Sequence, residues 1–141
     1  MKMTTKIYIT GPMRGIPNFN FPAFHEAAAA LRALGYHVFS PAEFDMIFSP
    51  AIEAADGMLE AHPIHGYIRR DCHVIINELH PPEDGVALLP GWENSKGAFA
   101  EVALAKWCGL KINTVKELLE NGKQAFEEDP DKAVWRYLDL T

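Results

Sequence analysis

The sequence predicts a small three-layer α/β domain, a parallel sheet with helices on both faces. Three observations carry that expectation. Short apolar runs recur at 6–10, 36–39, 85–89 and 110–113. Stretches with helical spacing separate them, the first set by Phe24, Ala27, Ala28, Leu31 and Leu34, long enough for a crossover between parallel strands. Gly11-Pro12, Gly35, Ser40-Pro41, Pro90-Gly91 and Gly109 punctuate the junctions, where chain reversals need such residues.

Each element has a local reason. Ile7, Tyr8, Ile9 and Thr10 are β-branched or aromatic and favour a strand, which stops at Gly11-Pro12. Gly35 ends the first helix, and residues 36–39 form a second strand closed by Ser40-Pro41. Residues 42–66 carry a weaker signal, interrupted by Pro50, Gly57 and Pro63. They read as an irregular excursion containing a short helix over 51–60, with Phe44, Met46, Phe48 and Met58 roofing a pocket or building a subunit interface. The spacing of Tyr67, Ile68, Val74, Ile75 and Leu79 predicts a helix over 67–79. A buried strand follows over 85–89. Ser95 is the expected N-cap of a helix over 96–108, ended by Gly109, with the last strand over 110–113. Thr114 caps a short helix that runs through Glu120, and Asp129-Pro130 opens another over 131–138. No repeat or linker divides the 141 residues, so 1–141 is expected to be one domain.

Composition narrows the partners. Thirteen Lys and Arg against nineteen Asp and Glu give a formal charge of −6, which argues against DNA bound by neutralising many phosphates. One phosphate held by a few backbone N–H groups is still compatible with that charge. Cys72 and Cys108 have neither metal-site spacing nor the density of a secreted scaffold, and two reduced thiols are expected. The opening residues turn polar too early for a signal peptide, and no run approaches the roughly 20 apolar residues of a membrane span. A cytoplasmic protein is expected, without a membrane partner.

In a parallel α/β sheet the ligand site lies beyond the carboxyl ends of the strands, and two segments fall there. In the first, residues 8–15, Gly11 and Gly15 allow close backbone approach and Arg14 can reach an anion, or the segment is a structural turn. In the second, residues 89–101, the start of a helix near Ser95, Lys96 and Gly97 favours an anion. Gly97, Glu101 and Ala105 share one helical face four residues apart, so small neighbours leave space beside Glu101; the alternative is a solvent-facing glutamate. Asp71 lies near an apolar stripe and needs either a salt bridge or a site, because a buried unpaired carboxylate is costly. Arg69 and Arg70 are the candidate partners, although adjacent helical residues face each other poorly. Asp84 is expected to cap or turn the chain. Trp92 either stacks on a base or seals its loop. The six histidines, His25, His37, His62, His65, His73 and His80, form no HExxH or other recognised metal array, and no metal or cofactor is expected. There is no nucleophile elbow, and Cys108 lacks an evident catalytic base.

The pieces YITGPMRG (8–15), NFPAF (20–24), GYHVFSPAE (35–43), RRD (69–71) and DGVALLPGWENSKGAFAEVALAKWCGL (84–110) resemble the nucleoside 2-deoxyribosyltransferase superfamily. The resemblance is to its small phage and bacterial members of the DUF4406 type. It implies a Rossmann-like (flavodoxin-like) domain that cleaves the N-glycosidic bond of a deoxynucleoside or deoxynucleotide, in a protein that works as a homodimer or higher homo-oligomer. By resemblance Glu101 is the nucleophile, Tyr8 orients it, and Asp71 lies near the base or sugar. Ser95 contacts a 5′-phosphate and Gly97 lies near the sugar. The loop with Gly11, Met13, Arg14 and Gly15, together with Trp92 and Lys96, completes the expected binding surface. The turn Pro90-Gly91-Trp92 with Lys96 departs from the small-residue loop of the monophosphate hydrolases. The resulting expectation is a deoxynucleoside 5′-monophosphate N-glycoside hydrolase. A deoxyribosyltransferase and a non-catalytic nucleotide-binding sensor or phage accessory protein are the alternatives.

Overall fold

The computed structural model describes residues 4–47 and 63–121. Its four strands are β1 (Lys6–Thr10), β2 (His37–Phe39), β3 (Gly85–Leu88) and β4 (Lys111–Thr114). All pairings are parallel, in the order β2-β1-β3-β4. The five helices of the described residues are α1 (Phe21–Ala33), α2 (Pro41–Ile47), α3 (Pro63–His73), α4 (Lys96–Trp107) and α5 (Val115–Asn121). The expected α/β class and three-layer arrangement are therefore present. The short helix expected over 51–60 and the one over 131–138 lie outside the described residues. Among the described residues no helix is long and apolar enough to cross a membrane.

The layers follow from strand direction and crossover hand. From β1 the chain steps one way to β2, then returns past β1 to reach β3 and β4. Right-handed crossovers taken in opposite directions put their helices on opposite faces. Accordingly Phe24, Ala28 and Leu31 of α1 and Leu118 of α5 cover the face carrying Ile7, Ile9 and Ala87. Ala98, Val102 and Ala105 of α4, with Val74 and Ile75 after α3, cover the face carrying Tyr8, Val86, Leu88 and Ile112. The two-residue alternation of side chains on a strand sorts β1 in this way.

Two strands start one residue later than their apolar runs. At the end of α1, Gly35 adopts φ 98°, and the Tyr36 N–H donates to the Leu31 carbonyl at 3.3 Å. At the end of α4, Gly109 adopts φ 80°, and the Leu110 N–H donates to the Ala105 carbonyl at 3.0 Å. Both are six-to-one closures around a left-handed glycine, so Tyr36 and Leu110 finish helices before their strands begin. The excursion expected from residue 42 opens instead as regular helix α2, directly after Ser40, whose carbonyl accepts from the Glu43 and Phe44 N–H groups. The helix expected over 67–79 begins earlier, at Pro63, and changes at Val74–Glu78 to a π-helical turn closed by Leu79 N–H to Val74 C=O at 3.3 Å. That turn buries Val74 and Ile75 against the sheet.

Two polar residues anchor the ends. Asp84 is buried, and its carboxylate accepts from the Lys6 N–H and the His80 N–H, both at 2.8 Å. It joins the amino-terminal edges of β1 and β3, which is the capping role expected of it. Thr114 and Glu117 cap α5 reciprocally: the Glu117 N–H donates to Thr114 Oγ1 at 3.0 Å and the Thr114 N–H to Glu117 Oε1 at 2.9 Å.

Gly11 has a packing reason. A Cβ placed there would lie 2.7 Å from the Leu89 Cβ, so the chains leaving β1 and β3 approach closely only because the side chain is missing. Gly97 differs, since a Cβ there meets nothing within 4 Å. Gly11→Ala is expected to destabilise by about 1–3 kcal/mol through overpacking, whereas Gly97→Ala stays within about 1 kcal/mol of wild type. Urea unfolding midpoints compare them, and equal midpoints for the two variants would contradict the packing role of Gly11.

Candidate active site

The strand order reverses between β1 and β3, so the connections leaving their carboxyl ends diverge and open a crevice. Three side chains converge there. Tyr8 and Thr10 project from the same face of β1 because they are two residues apart. Glu101 descends from the second turn of α4. The Tyr8 hydroxyl donates to Glu101 Oε2 at 2.7 Å, and the Thr10 hydroxyl donates to Glu101 Oε1 at 2.7 Å. Each carboxylate oxygen thus has its own neutral donor. Along the α4 face read from the sequence, Ala105 is in the core, Glu101 is half-buried at its margin, and Gly97 is exposed. The solvent-facing alternative for Glu101 does not apply.

Asp71 on α3 faces the same place. The expectation that it needs a salt bridge or a site resolves into both. Arg70 bends back despite being its neighbour in the helix, and Arg70 Nε donates to Asp71 Oδ1 at 2.8 Å. The far end of the guanidinium, Nη1, donates to Asp45 Oδ1 of α2 at 2.6 Å. Phe44 and Tyr67 flank the guanidinium carbon, their ring centroids 5.5 and 5.2 Å away, a cation–π enclosure. All three charged side chains are largely buried, so the geometry of the network is strongly constrained.

The electrostatics follow from burial. Desolvation lifts the Glu101 carboxyl to about 7, and the Asp71 charge adds to that rise; the Thr10 and Tyr8 hydrogen bonds and the Arg70 charge oppose it. Asp71 is also raised, chiefly by desolvation, while the Arg70 hydrogen bond and charge pull it back and the Tyr8 hydroxyl helps. Tyr8 therefore acts on both carboxylates. Its own phenol is held well above 10 by burial and by the charge of Glu101, so it remains a donor throughout the neutral range. Burial, with the charges of Glu101 and Asp71, also raises the Cys72 thiol. This keeps it protonated and weakly nucleophilic. Cys72 and Cys108 both carry free thiols.

The remaining expected site residues sit around this centre in different roles. Ser95 Oγ accepts the Ala98 N–H at 3.2 Å and caps α4. Lys96 and Gly97 are exposed beside it. Arg14 and Gly15 are exposed on the β1 loop, where Gly15 has φ 78°, and Met13 packs against the α1 face. The Asn20 amide donates to the Pro12 carbonyl at 2.9 Å and ties this loop to the start of α1. Gly11 packs closely on Leu89, a structural reason for the glycine at this turn. Trp92 is 3% exposed and stacks on Phe99 with centroids 6.1 Å apart, so of its two expected roles it takes the one that seals its loop against the core. His62, Phe48 and Met58 lie outside the described residues, and His65 is exposed. Among the described residues no group of three or more His, Cys, Asp or Glu side chains is placed to hold a metal ion.

Thr10, Asp45 and Asn20 were not singled out from the sequence. Thr10 had a signal, its two-residue spacing from Tyr8. Asp45 had none, because only the packing of α2 against α3 brings it to Arg70.

A parallel sheet with a half-buried glutamate whose carboxyl is desolvated, and a second carboxylate beside it at the switch point, defines an α/β protein with a desolvated carboxylate site. The chain matches the family described as "Domain of unknown function (DUF4406)" over residues 5–114, and it belongs to that family. No curated protein and no solved structure matches it.

The raised Glu101 carboxyl couples the site to stability. The folded protein holds its proton up to about 7, whereas the unfolded chain releases it near the ordinary glutamate value. Stability from this group is complete below about 4.3 and is lost as pH rises through about 7; Asp71, also raised, acts in the same sense. Glu101→Gln is expected to stabilise the protein relative to wild type by about 1–3 kcal/mol at pH 8 and by much less at pH 5. Urea unfolding at both values measures this, and a difference independent of pH would contradict it.

Proposed function

We propose that the protein is an N-glycoside hydrolase that cleaves the bond between base and deoxyribose of a deoxynucleoside 5′-monophosphate. The observation that carries this reading is Glu101, desolvated at the switch point, with each oxygen held by a neutral hydroxyl and a second carboxylate alongside. Neutral donors orient a carboxylate without neutralising its charge, which suits a nucleophile better than a salt bridge would. The resemblance of the YITGPMRG and GWENSKGAFAE segments to the nucleoside 2-deoxyribosyltransferase superfamily supports the same roles.

In this mechanism a Glu101 oxygen attacks C1′ as the C1′–N bond breaks. The bonding pair leaves with the base, and a proton delivered from Asp71, directly or through water, neutralises it. The product of this step is a deoxyribosyl ester of Glu101. Water then attacks C1′, its proton passes to Asp71, and the ester bond breaks to restore the Glu101 carboxylate. Two inversions give retention at C1′. Arg70, anchored by Asp45, sets the direction of Asp71. The Ser95 oxygen already accepts from Ala98, so its proton is available to a 5′-phosphate. The first backbone N–H groups of α4 and the exposed Arg14 supply further anion contacts.

Attack requires ionised Glu101 and departure of the base requires the Asp71 proton, so the active site holds one proton on the carboxyl pair. Accordingly kcat/KM is expected to fall as pH rises through about 7, where that last proton is lost. Incubation with deoxynucleosides and their 5′-monophosphates, with chromatography of the free base, tests the proposal. The expected result is phosphate-dependent release that falls about a thousandfold or more in Glu101→Gln. Transfer of deoxyribose to an added base in preference to water would assign a transferase instead. Saturable nucleotide binding without release from any substrate would assign a nucleotide-binding protein and overturn the hydrolase.

A further inference from the structure

We propose that Thr10 is a positioning residue for Glu101, the partner of Tyr8 in fixing the plane of the carboxylate; its importance to turnover rests on the reading of Glu101 as the nucleophile.

A glutamate carboxylate rotates easily about its last side-chain bond, because that torsion has broad minima. One donor, on one oxygen, leaves much of this freedom. Tyr8 holds Oε2 and Thr10 holds Oε1, each at 2.7 Å, and two donors on opposite oxygens remove it. Thr10 is suited to this by its backbone. It is the last residue of β1, it pairs with Leu88, and its carbonyl accepts the Leu89 N–H at 2.9 Å. Its side chain has little access to water, since the residue is 1% exposed, so solvent does not replace a lost hydroxyl. Each Glu101 oxygen keeps a second lone pair, and orientation leaves attack available.

The two donors are not equivalent. Tyr8 influences Asp71 as well as Glu101, so its removal disturbs both carboxylates. Thr10 touches Glu101 alone among the two. The charged and titratable groups around Glu101 are Tyr8 on β1 and Arg70, Asp71 and Cys72 on α3. None of them is changed by a substitution at Thr10. Loss of the Thr10 hydrogen bond removes one interaction that favours ionised Glu101, and the titration of that one group moves upward.

The test compares Thr10→Val, which keeps the shape, with Thr10→Ser, which keeps the hydroxyl. Proteins labelled with 13C at the glutamate side-chain carboxyl are titrated by NMR, and Glu101→Gln assigns the resonance. The Glu101 midpoint is expected to rise above the wild-type value in Thr10→Val and to stay near it in Thr10→Ser. Thr10→Ala also lacks the hydroxyl, and a rise in that variant carries the same conclusion if the valine form does not fold. With a substrate that is turned over, kcat is expected to fall about tenfold in Thr10→Val with KM within about twofold, and Thr10→Ser to recover most of the loss. An unchanged midpoint in both hydroxyl-free variants overturns the proposal, as does equal loss of kcat in the valine and serine forms. A raised midpoint in a protein whose wild type releases no base supports the Thr10–Glu101 coupling and overturns the hydrolase reading instead.

Discussion

The structure turns on the burial of one carboxylate at the end of a sheet. Removing Glu101 from water raises the energy of its ionised form, and the nearby Arg70 charge offsets only part of that cost. Two hydroxyls from β1 offset a further part. The result is a group poised near neutrality whose orientation is set by a strand, the most rigid element available. A direct salt bridge would have lowered its pKa further. The arrangement trades stability for a poised anion, the usual relation between a fold and a desolvated site.

The rest of the domain serves that contact. The order β2-β1-β3-β4 puts β1 and β3 at the centre and opens the crevice between their exits. Asp84 locks the opposite ends of the same two strands through two backbone N–H groups. Gly11 lets the chains leaving them approach. The Ser95 cap and the closure at Gly109 set the length of α4, and so the height at which Glu101 meets Tyr8 and Thr10. Ala98, Val102 and Ala105 bring that helix against the sheet.

Asp71 is governed by a different device. Its partner Arg70 is shared with Asp45 and enclosed by two rings. A guanidinium with several donors in one plane can serve two carboxylates at once, which a lysine cannot do in the same geometry. The pair therefore divides the labour of charge: Asp71 is compensated by a cation, Glu101 by neutral donors. Burial raises both carboxyls, Glu101 to about 7, and only Asp71 has a guanidinium bonded to it.

Much of this was legible in the chain. The four strands, α1, α4, the Ser95 and Thr114 caps and the glycine stops follow from local chemistry, since periodicity, capping and left-handed turns act over a few residues. Glu101 and Asp71 stood out because they lie beside small or apolar helical neighbours, whereas Tyr8 was named only through the family resemblance. The tertiary structure decided the rest. It gave Trp92 to the core and Gly11 to contact with Leu89. It started β2 and β4 one residue late, because helix closure claimed the N–H groups of Tyr36 and Leu110. It also supplied Thr10 as a second donor, Asp45 as the anchor of Arg70, and the environment that lifts Glu101. Hydrogen bonds and desolvation depend on which distant segments meet, and a pattern of neighbours along a chain records the residue types but not those meetings.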